Sequence, residues 1–162
     1  MLEIMARKPI TANDVADWFI NRVDRNGGDI ITPEVVQRLV YFAQAWYLAN
    51  TGRPMFKDEI QAWATGPMVP SIFERFEHLA AASLPDIENA REIRGDRAEL
   101  LEQVQEEYGS YSRRKLGELA REEGSPWHQM RQGLAPEAHS ERVIEKDGMK
   151  KFYGAKISKA WA

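Results

Sequence analysis

From Thr32 to Gly52 the apolar residues do not keep to one side of a helix. Val36, Leu39, Val40, Ala43, Trp46 and Tyr47 form a stripe at helical spacing, and Val35 and Phe42 carry apolar surface onto a neighbouring face. The pattern predicts a helix packed on more than one side, and therefore a central one. Its limits are marked by chemistry. Thr32 can cap the first N–H groups, Pro33 needs no donor at the first position, Glu34 meets the positive end of the dipole, and Gly52 can close the last turn.

The other segments are shorter. Val15, Phe19 and Val23 recur every four residues after Thr11, which pairs with Asp14 in a relative of the capping box; the predicted helix ends near Asn26-Gly27-Gly28. Ile60 and Ala62 alternate with polar neighbours and allow one brief strand. Gly66-Pro67 reads as a turn, Val69 before Pro70 is biased toward extended geometry, and Pro70 opens a helix through Ile72, Phe73, Phe76 and Leu79 to about Ala81. Residues 83–95 lack periodicity and read as a loop. Asp96 with Glu99 is the expected cap of a helix with Leu100, Leu101, Val104 and Tyr108 inward. Ser112 caps a further helix with Leu116, Leu119 and Ala120 inward, and Ser125-Pro126 starts a short one closing at Gly133. Beyond it two readings stay open: a hairpin around Asp147-Gly148, or an extended lead-in to a helix holding Met149, Phe152 and Tyr153. The five lysines from Lys146 onward predict a solvated tail. The sum is a mainly α fold, a single compact domain of six or seven helices around a central apolar helix, with at most one or two short strands. The expected domain covers residues 11–154, with short tails at 1–10 and 155–162.

Composition narrows the class. A chain of 162 residues suits one domain with one core, and 43% hydrophobic with 29% charged residues is a globular balance. A net charge of −3 supplies no general attraction to nucleic acid or to an anionic membrane. No apolar run approaches the ~20 residues of a membrane span, and the opening MLEIMARKPITAND lacks an apolar signal-peptide core. The absence of cysteine excludes disulfides, thiolate metal sites and a cysteine nucleophile, and fits a reducing cytoplasm.

Catalytic and metal-binding patterns are weak. His78, His128 and His139 include no pair at the i, i+3 or i, i+4 spacing of helical metal ligands, so no metal is expected. Ser125 lies three residues before His128, but Ser-Pro at a helix start accounts for it better than a nucleophile and base do. Glu106-Glu107 and Glu122-Glu123 sit among polar residues and lack the apolar shelter that raises a catalytic carboxyl. No phosphate-binding glycine loop occurs. The expectation is a non-enzyme without a cofactor. Arg113, Arg114 and Lys115 at a helix start, followed by a second short helix, loosely outline a helix-turn-helix, which keeps a DNA-binding regulator as the alternative. Trp46, Trp63 and Trp127 each sit beside a turn or helix end. They read first as packing anchors, compatible with a rigid recognition surface.

The stretch VVQRLVYFAQAWYLANTGRPMFKDEIQAWATGPMVPSIFERF resembles the Panacea domain of the SocA-like antitoxin family. The matching parts are the Y-F-A-Q-x-W helix with Tyr41, Gln44 and Trp46, a Gly-x-Pro turn at Gly52 to Phe56, the acidic Asp58-Glu59, and the A-W-x-x-G-P-x-x-P segment with Trp63, Gly66, Pro67 and Pro70. Leu116 to Trp127 resembles a later family signature, so the resemblance covers about residues 13–130. Three positions depart from it: Gln37 and Arg38 stand where lysines are frequent, and Met68 replaces a valine.

The resemblance implies a mainly helical antitoxin that neutralises a toxin, usually encoded by the adjacent gene, by direct protein binding. It also allows presentation of the bound toxin to an ATP-dependent protease, and occurrence in prophages. The alternative becomes a DNA-binding regulator of its own operon. Trp63 is expected to pin the Gly66-Pro67 turn onto the helix bearing Tyr41, Gln44 and Trp46. Because Pro54, Pro67 and Pro70 stiffen the backbone there, exposed Arg53, Lys57, Thr65, Met68 and Arg75 are the expected partner contacts.

Overall fold

The helix α2 (Pro33–Thr51) runs through the middle of the molecule, with buried residues on every side from Val36 to Leu48 except Trp46. In the computed structural model, which describes residues 8–79 and 82–160, it packs against five other helices and a strand. The expected start and stop are present. Thr32 Oγ1 accepts from the Val35 N–H, and Gly52 adopts φ of 76° while its N–H donates to the Leu48 carbonyl. Trp46 departs from the expected buried stripe. Its ring is half-buried, and Nε1 donates to the Tyr108 hydroxyl at 2.7 Å.

Around this axis lie α1 (Ala12–Asn21), α3 (Pro70–Phe76), α4 (Gly95–Tyr108), α5 (Arg113–Ala120), α6 (Pro126–Met130) and α7 (Lys146–Ala160), with strands β1 (Gln61–Trp63) and β2 (Gly66–Met68). The described residues thus form seven α-helices and a single two-stranded antiparallel sheet, a mainly α fold. Thr11 and Asp14 make a full capping box. α1 nevertheless stops at Asn21, short of Asn26-Gly27-Gly28. The Asp24 carboxylate accepts from the Gly27 N–H and the Asp24 carbonyl from the Asp29 N–H, a local turn that competes with another helical turn.

The turn expected at Gly66-Pro67 lies instead at Ala64-Thr65. Trp63 faces Gly66, Ala62 faces Pro67 and Gln61 faces Met68 across the sheet. Pro67 is tolerated because β2 is an edge strand, where a missing N–H breaks no ladder bond. The other edge of β1 is covered. Ala62 N–H donates to the Arg142 carbonyl at 2.8 Å, Ile144 N–H donates to the Ile60 carbonyl at 2.7 Å, and Gln61 bridges Val143. Pro70 opens α3 as expected. The helix passes into one 3-10 turn, Glu77–Leu79, rather than continuing unbroken, and Ala80 and Ala81 lie outside the described residues.

Asp96 is not the cap of α4. That helix begins at Gly95 after Arg94, and the Asp96 carboxylate is used elsewhere, accepting from the Tyr47 hydroxyl at 2.9 Å and pairing with Arg53. Ser112 and Ser125 cap α5 and α6 as expected. The chain after His139 takes the second of its two readings, an extended lead-in followed by α7. The expected solvated tail is half right. Lys150, Lys151 and Lys156 are exposed, while Met149 and Tyr153 are buried against α2. Their spacing of four residues places both on one helical face. The Tyr153 hydroxyl lies 3.1 Å from that of Tyr41, and burial holds both hydroxyls well above the usual phenolic range.

Candidate functional site

Three arginines and a tryptophan grip the hairpin by its carbonyl oxygens. Arg38, with 0% exposure, donates from Nη1 to the Pro67 carbonyl at 2.6 Å and from Nη2 to the Thr65 carbonyl at 2.8 Å. Arg121 from the end of α5 also reaches the Thr65 carbonyl, at 2.8 Å. Arg131 donates to the Ala62 carbonyl at 3.1 Å, and Trp127 Nε1 to the Trp63 carbonyl at 2.7 Å. Gln37 completes the attachment with two bonds to the backbone of Val69, donating to its carbonyl and accepting its N–H. Buried carbonyls need such donors, and a guanidinium supplies several in a rigid fork. Burial lowers the Arg38 pKa to about 10, opposed by Glu34 one turn earlier, so the side chain stays charged at neutral pH.

This overturns the expected role of Trp63. Its ring does not sit on α2; it packs edge-on against Phe73 of α3 at 4.9 Å and lies 5.5 Å from His139. The link between turn and central helix is made by Gln37 and Arg38. The sequence did carry a signal for them, since two polar residues interrupt the apolar run of α2, but nothing local says what they bind. Tyr41 bonds Tyr153, and Gln44 holds the segment after Gly52 by accepting from Met55 N–H at 2.7 Å and donating to the Phe56 carbonyl at 2.8 Å.

The outer face of this assembly is aromatic and acidic. Phe73 is 37% exposed and stands between two hollows. One, of about 250 Å³, is bordered by Thr65, Met68, Glu34 and Glu77. The other, of about 490 Å³, is bordered by Trp63, Glu74, Glu77 and Glu141.

The five expected partner contacts do not share one patch. Thr65 is exposed at the hairpin tip, and Met68 is only 8% exposed but borders the hollow beside Phe73. Arg75 is half-buried, bound to Asp17 at 2.6 Å and to Asn13 at 3.0 Å. Arg53 and Lys57 are exposed beyond the far end of α2, with Arg53 paired to Asp96 at 3.0 Å. Fourteen helical positions separate Gly52 from the Arg38 that holds Thr65, roughly 20 Å at ~1.5 Å per residue.

The residues weighed for other chemistry have local tasks. Ser125 Oγ accepts from the His128 N–H at 3.2 Å, and His128 Nδ1 accepts from the Gly124 N–H at 3.1 Å. Arg113 pairs with Glu34 and Arg114 with Glu118, while Lys115 lies over the Tyr111 ring. Among the described residues no group of three or more His, Asp or Glu is arranged to hold a metal, and no helix is long and apolar enough to cross a membrane.

Comparison with known proteins gives one match. The family described as antitoxin SocA-like, Panacea domain, matches residues 36–128. No curated protein and no solved structure matches the chain. The matched segment begins in α2 and ends in α6, so it takes in Gln37 and Arg38, the hairpin they hold, α3, and the Trp127 that donates to the Trp63 carbonyl. It spans more than half of the molecule and its structural centre, and the chain belongs to the SocA-like antitoxin family defined by the Panacea domain.

Proposed function

We infer that this protein is an antitoxin that neutralises a protein toxin by direct contact, and that the hairpin–α3 face makes the contact. The observation that carries the reading is the rigidity of that face. The carbonyls of Ala62, Trp63, Thr65 and Pro67 each accept from a side chain of another element, while Phe73 stands 37% exposed outside them. A surface fixed before binding loses little entropy on binding, and an exposed aromatic ring is a common energetic anchor of an interface. Thr65 and Met68 stay within the proposed contact. Arg53 and Lys57 fall outside it, and Arg75 serves to hold α3 on α1.

The test is co-expression with the products of adjacent open reading frames. One of them should arrest growth alone, be neutralised by this chain, and co-purify with it. Phe73→Asp should abolish rescue while circular dichroism stays unchanged. If none of the neighbouring products is toxic, or if rescue occurs without a complex, direct neutralisation is wrong. If Phe73→Asp rescues fully, the face is wrong.

A further inference from the structure

We propose that the hairpin–α3 face receives a basic segment of its partner, with a lysine or arginine stem lying on Trp63 and Phe73 and its cationic head among Glu74, Glu77 and Glu141. This rests on the reading of the face as the toxin contact and adds the chemistry of what docks there.

An aromatic face stands partly open among the described residues. Phe73 is 37% exposed, Trp63 is half-buried, and the two rings meet edge-on at 4.9 Å beside one open hollow. An uncovered aromatic pair of this kind accepts either an apolar side chain or a cation with its stem. The charges around it decide between them. Glu74 and Glu77 stand one turn apart at the end of α3 and the start of the 3-10 turn. Glu141, far away in sequence, is brought to the same hollow by the strand-like segment that bridges β1. All three are exposed. Neither the Glu74 nor the Glu77 carboxylate forms a hydrogen bond or ion pair with a described residue, and Glu141 meets the His139 imidazole at 3.4 Å. The cations adjacent in sequence are turned away. Arg75 is bound to Asp17, and Arg142 donates to the Met130 and Gln132 carbonyls.

The result is an aromatic floor with a one-sign rim, and among the described residues no lysine or arginine pairs with its three carboxylates. Complementarity then favours a cationic partner and penalises an acidic one, because like charges across an interface repel. Arginine fits best, since its flat guanidinium can lie on a ring while its edge meets a carboxylate.

The test uses the full chain and needs no identified toxin. The 15N-labelled protein is titrated with a blocked tetra-arginine peptide, with tetra-glutamate as the control, and read by two-dimensional amide and indole NMR. The expected shifts are at the Trp63 indole and at the Phe73, Glu74 and Glu77 amides, with none from tetra-glutamate. Affinity should fall about tenfold or more in the E74Q/E77Q/E141Q variant, and similarly between low salt and ~0.5 M NaCl. Shifts centred elsewhere, or an affinity unchanged in the triple variant, overturn the proposal. The triple variant is then tried in the rescue assay. Rescue by wild type and triple variant alike, with the complex equally tight, overturns the basic-partner inference and leaves the antitoxin reading standing. Failure of wild type to rescue counts against the antitoxin reading, while the peptide titration still decides the charge preference of the face.

Discussion

The Arg38 guanidinium lies directly over Gly66, so that a β-carbon at position 66 would fall 2.7 Å from Arg38 Cζ. Gly66 also holds φ at 141°, which favours glycine. The central helix and the hairpin therefore meet where one residue must be a buried cation and the other must have no side chain.

Gly66→Ala should cost roughly 2–5 kcal/mol, combining backbone strain with overpacking. Arg38→Met should cost about 2–4 kcal/mol, because it leaves the Pro67 carbonyl without its donor while Arg121 still serves Thr65. The double variant should cost at least ~1 kcal/mol less than the two combined, since removing the guanidinium relieves the clash. Urea titrations of all four proteins measure this; strict additivity would mean the two residues do not meet.

Trp63→Ala should cost only about 1–3 kcal/mol, because the ring is half-buried and its main neighbours are Phe73 and His139. Phe76→Ala, at a ring only 6% exposed, should cost about 3–5 kcal/mol. The smaller ring should thus cost more in the same denaturant series. The reverse order would place Trp63 in the core.

A stop after Glu145 removes Met149, Phe152 and Tyr153 and uncovers one side of α2. Losing a buried methionine and a buried aromatic amounts to more than ~5 kcal/mol, comparable with the total stability of a small domain. The shortened chain should lose near-ultraviolet dichroism and cooperative unfolding. A truncated protein melting like the full chain would show α7 to be an appendage.

Alkaline pH should unfold the protein through its tyrosines. In the unfolded chain a tyrosine ionises near pH ~10. Burial pushes Tyr108 up to about 12, and Tyr41 and Tyr153 are raised as well. The unfolded state therefore loses these protons first. Their stabilisation is complete below pH ~10 and is lost as pH climbs toward the folded values, by up to ~1.4 kcal/mol per unit for each group. Y41F/Y153F should weaken less steeply between about pH 9 and 11, around the pKa of a free phenol, in unfolding midpoints taken at each pH. Arg38 is common to both proteins and cancels. Parallel curves would mean the two hydroxyls are not sheltered.

Neutralising Arg113, Arg114 and Lys115 together should leave any weak retention on duplex DNA unchanged, because two of the three already face carboxylates and the third faces a ring. Binding is read against salt concentration. A slope reduced by up to about three units would restore the DNA-binding alternative.

Helix starts were legible one after another. Thr11 with Asp14, Thr32, Ser112 and Ser125 each satisfy donors within three residues of themselves, so a short window contains both partners. The central place of α2 was legible too, because apolar residues on all sides of a helix require neighbours on all sides. The motif around Trp63, Gly66 and Pro67 pointed to the family, but not to its own geometry. Whether Gly66 ends a turn or belongs to a strand depends on pairing with Gln61 to Trp63, and on Arg38 arriving from the other side.

What stayed hidden depends on distant partners. Asp96 looks like a cap until Tyr47 and Arg53 reach it, and the lysine-rich end looks solvated until Met149 and Tyr153 find α2. At the candidate site, Trp63 and the prolines stood out in the chain, whereas the meeting of Glu74 and Glu77 with Glu141 did not. Capping, helical periodicity and backbone stiffness are set by residues a few positions apart, and the sequence displays them directly. Which buried cation meets which carbonyl, and which carboxylates converge, follows from packing across the whole domain, where each contact is settled together with all the others.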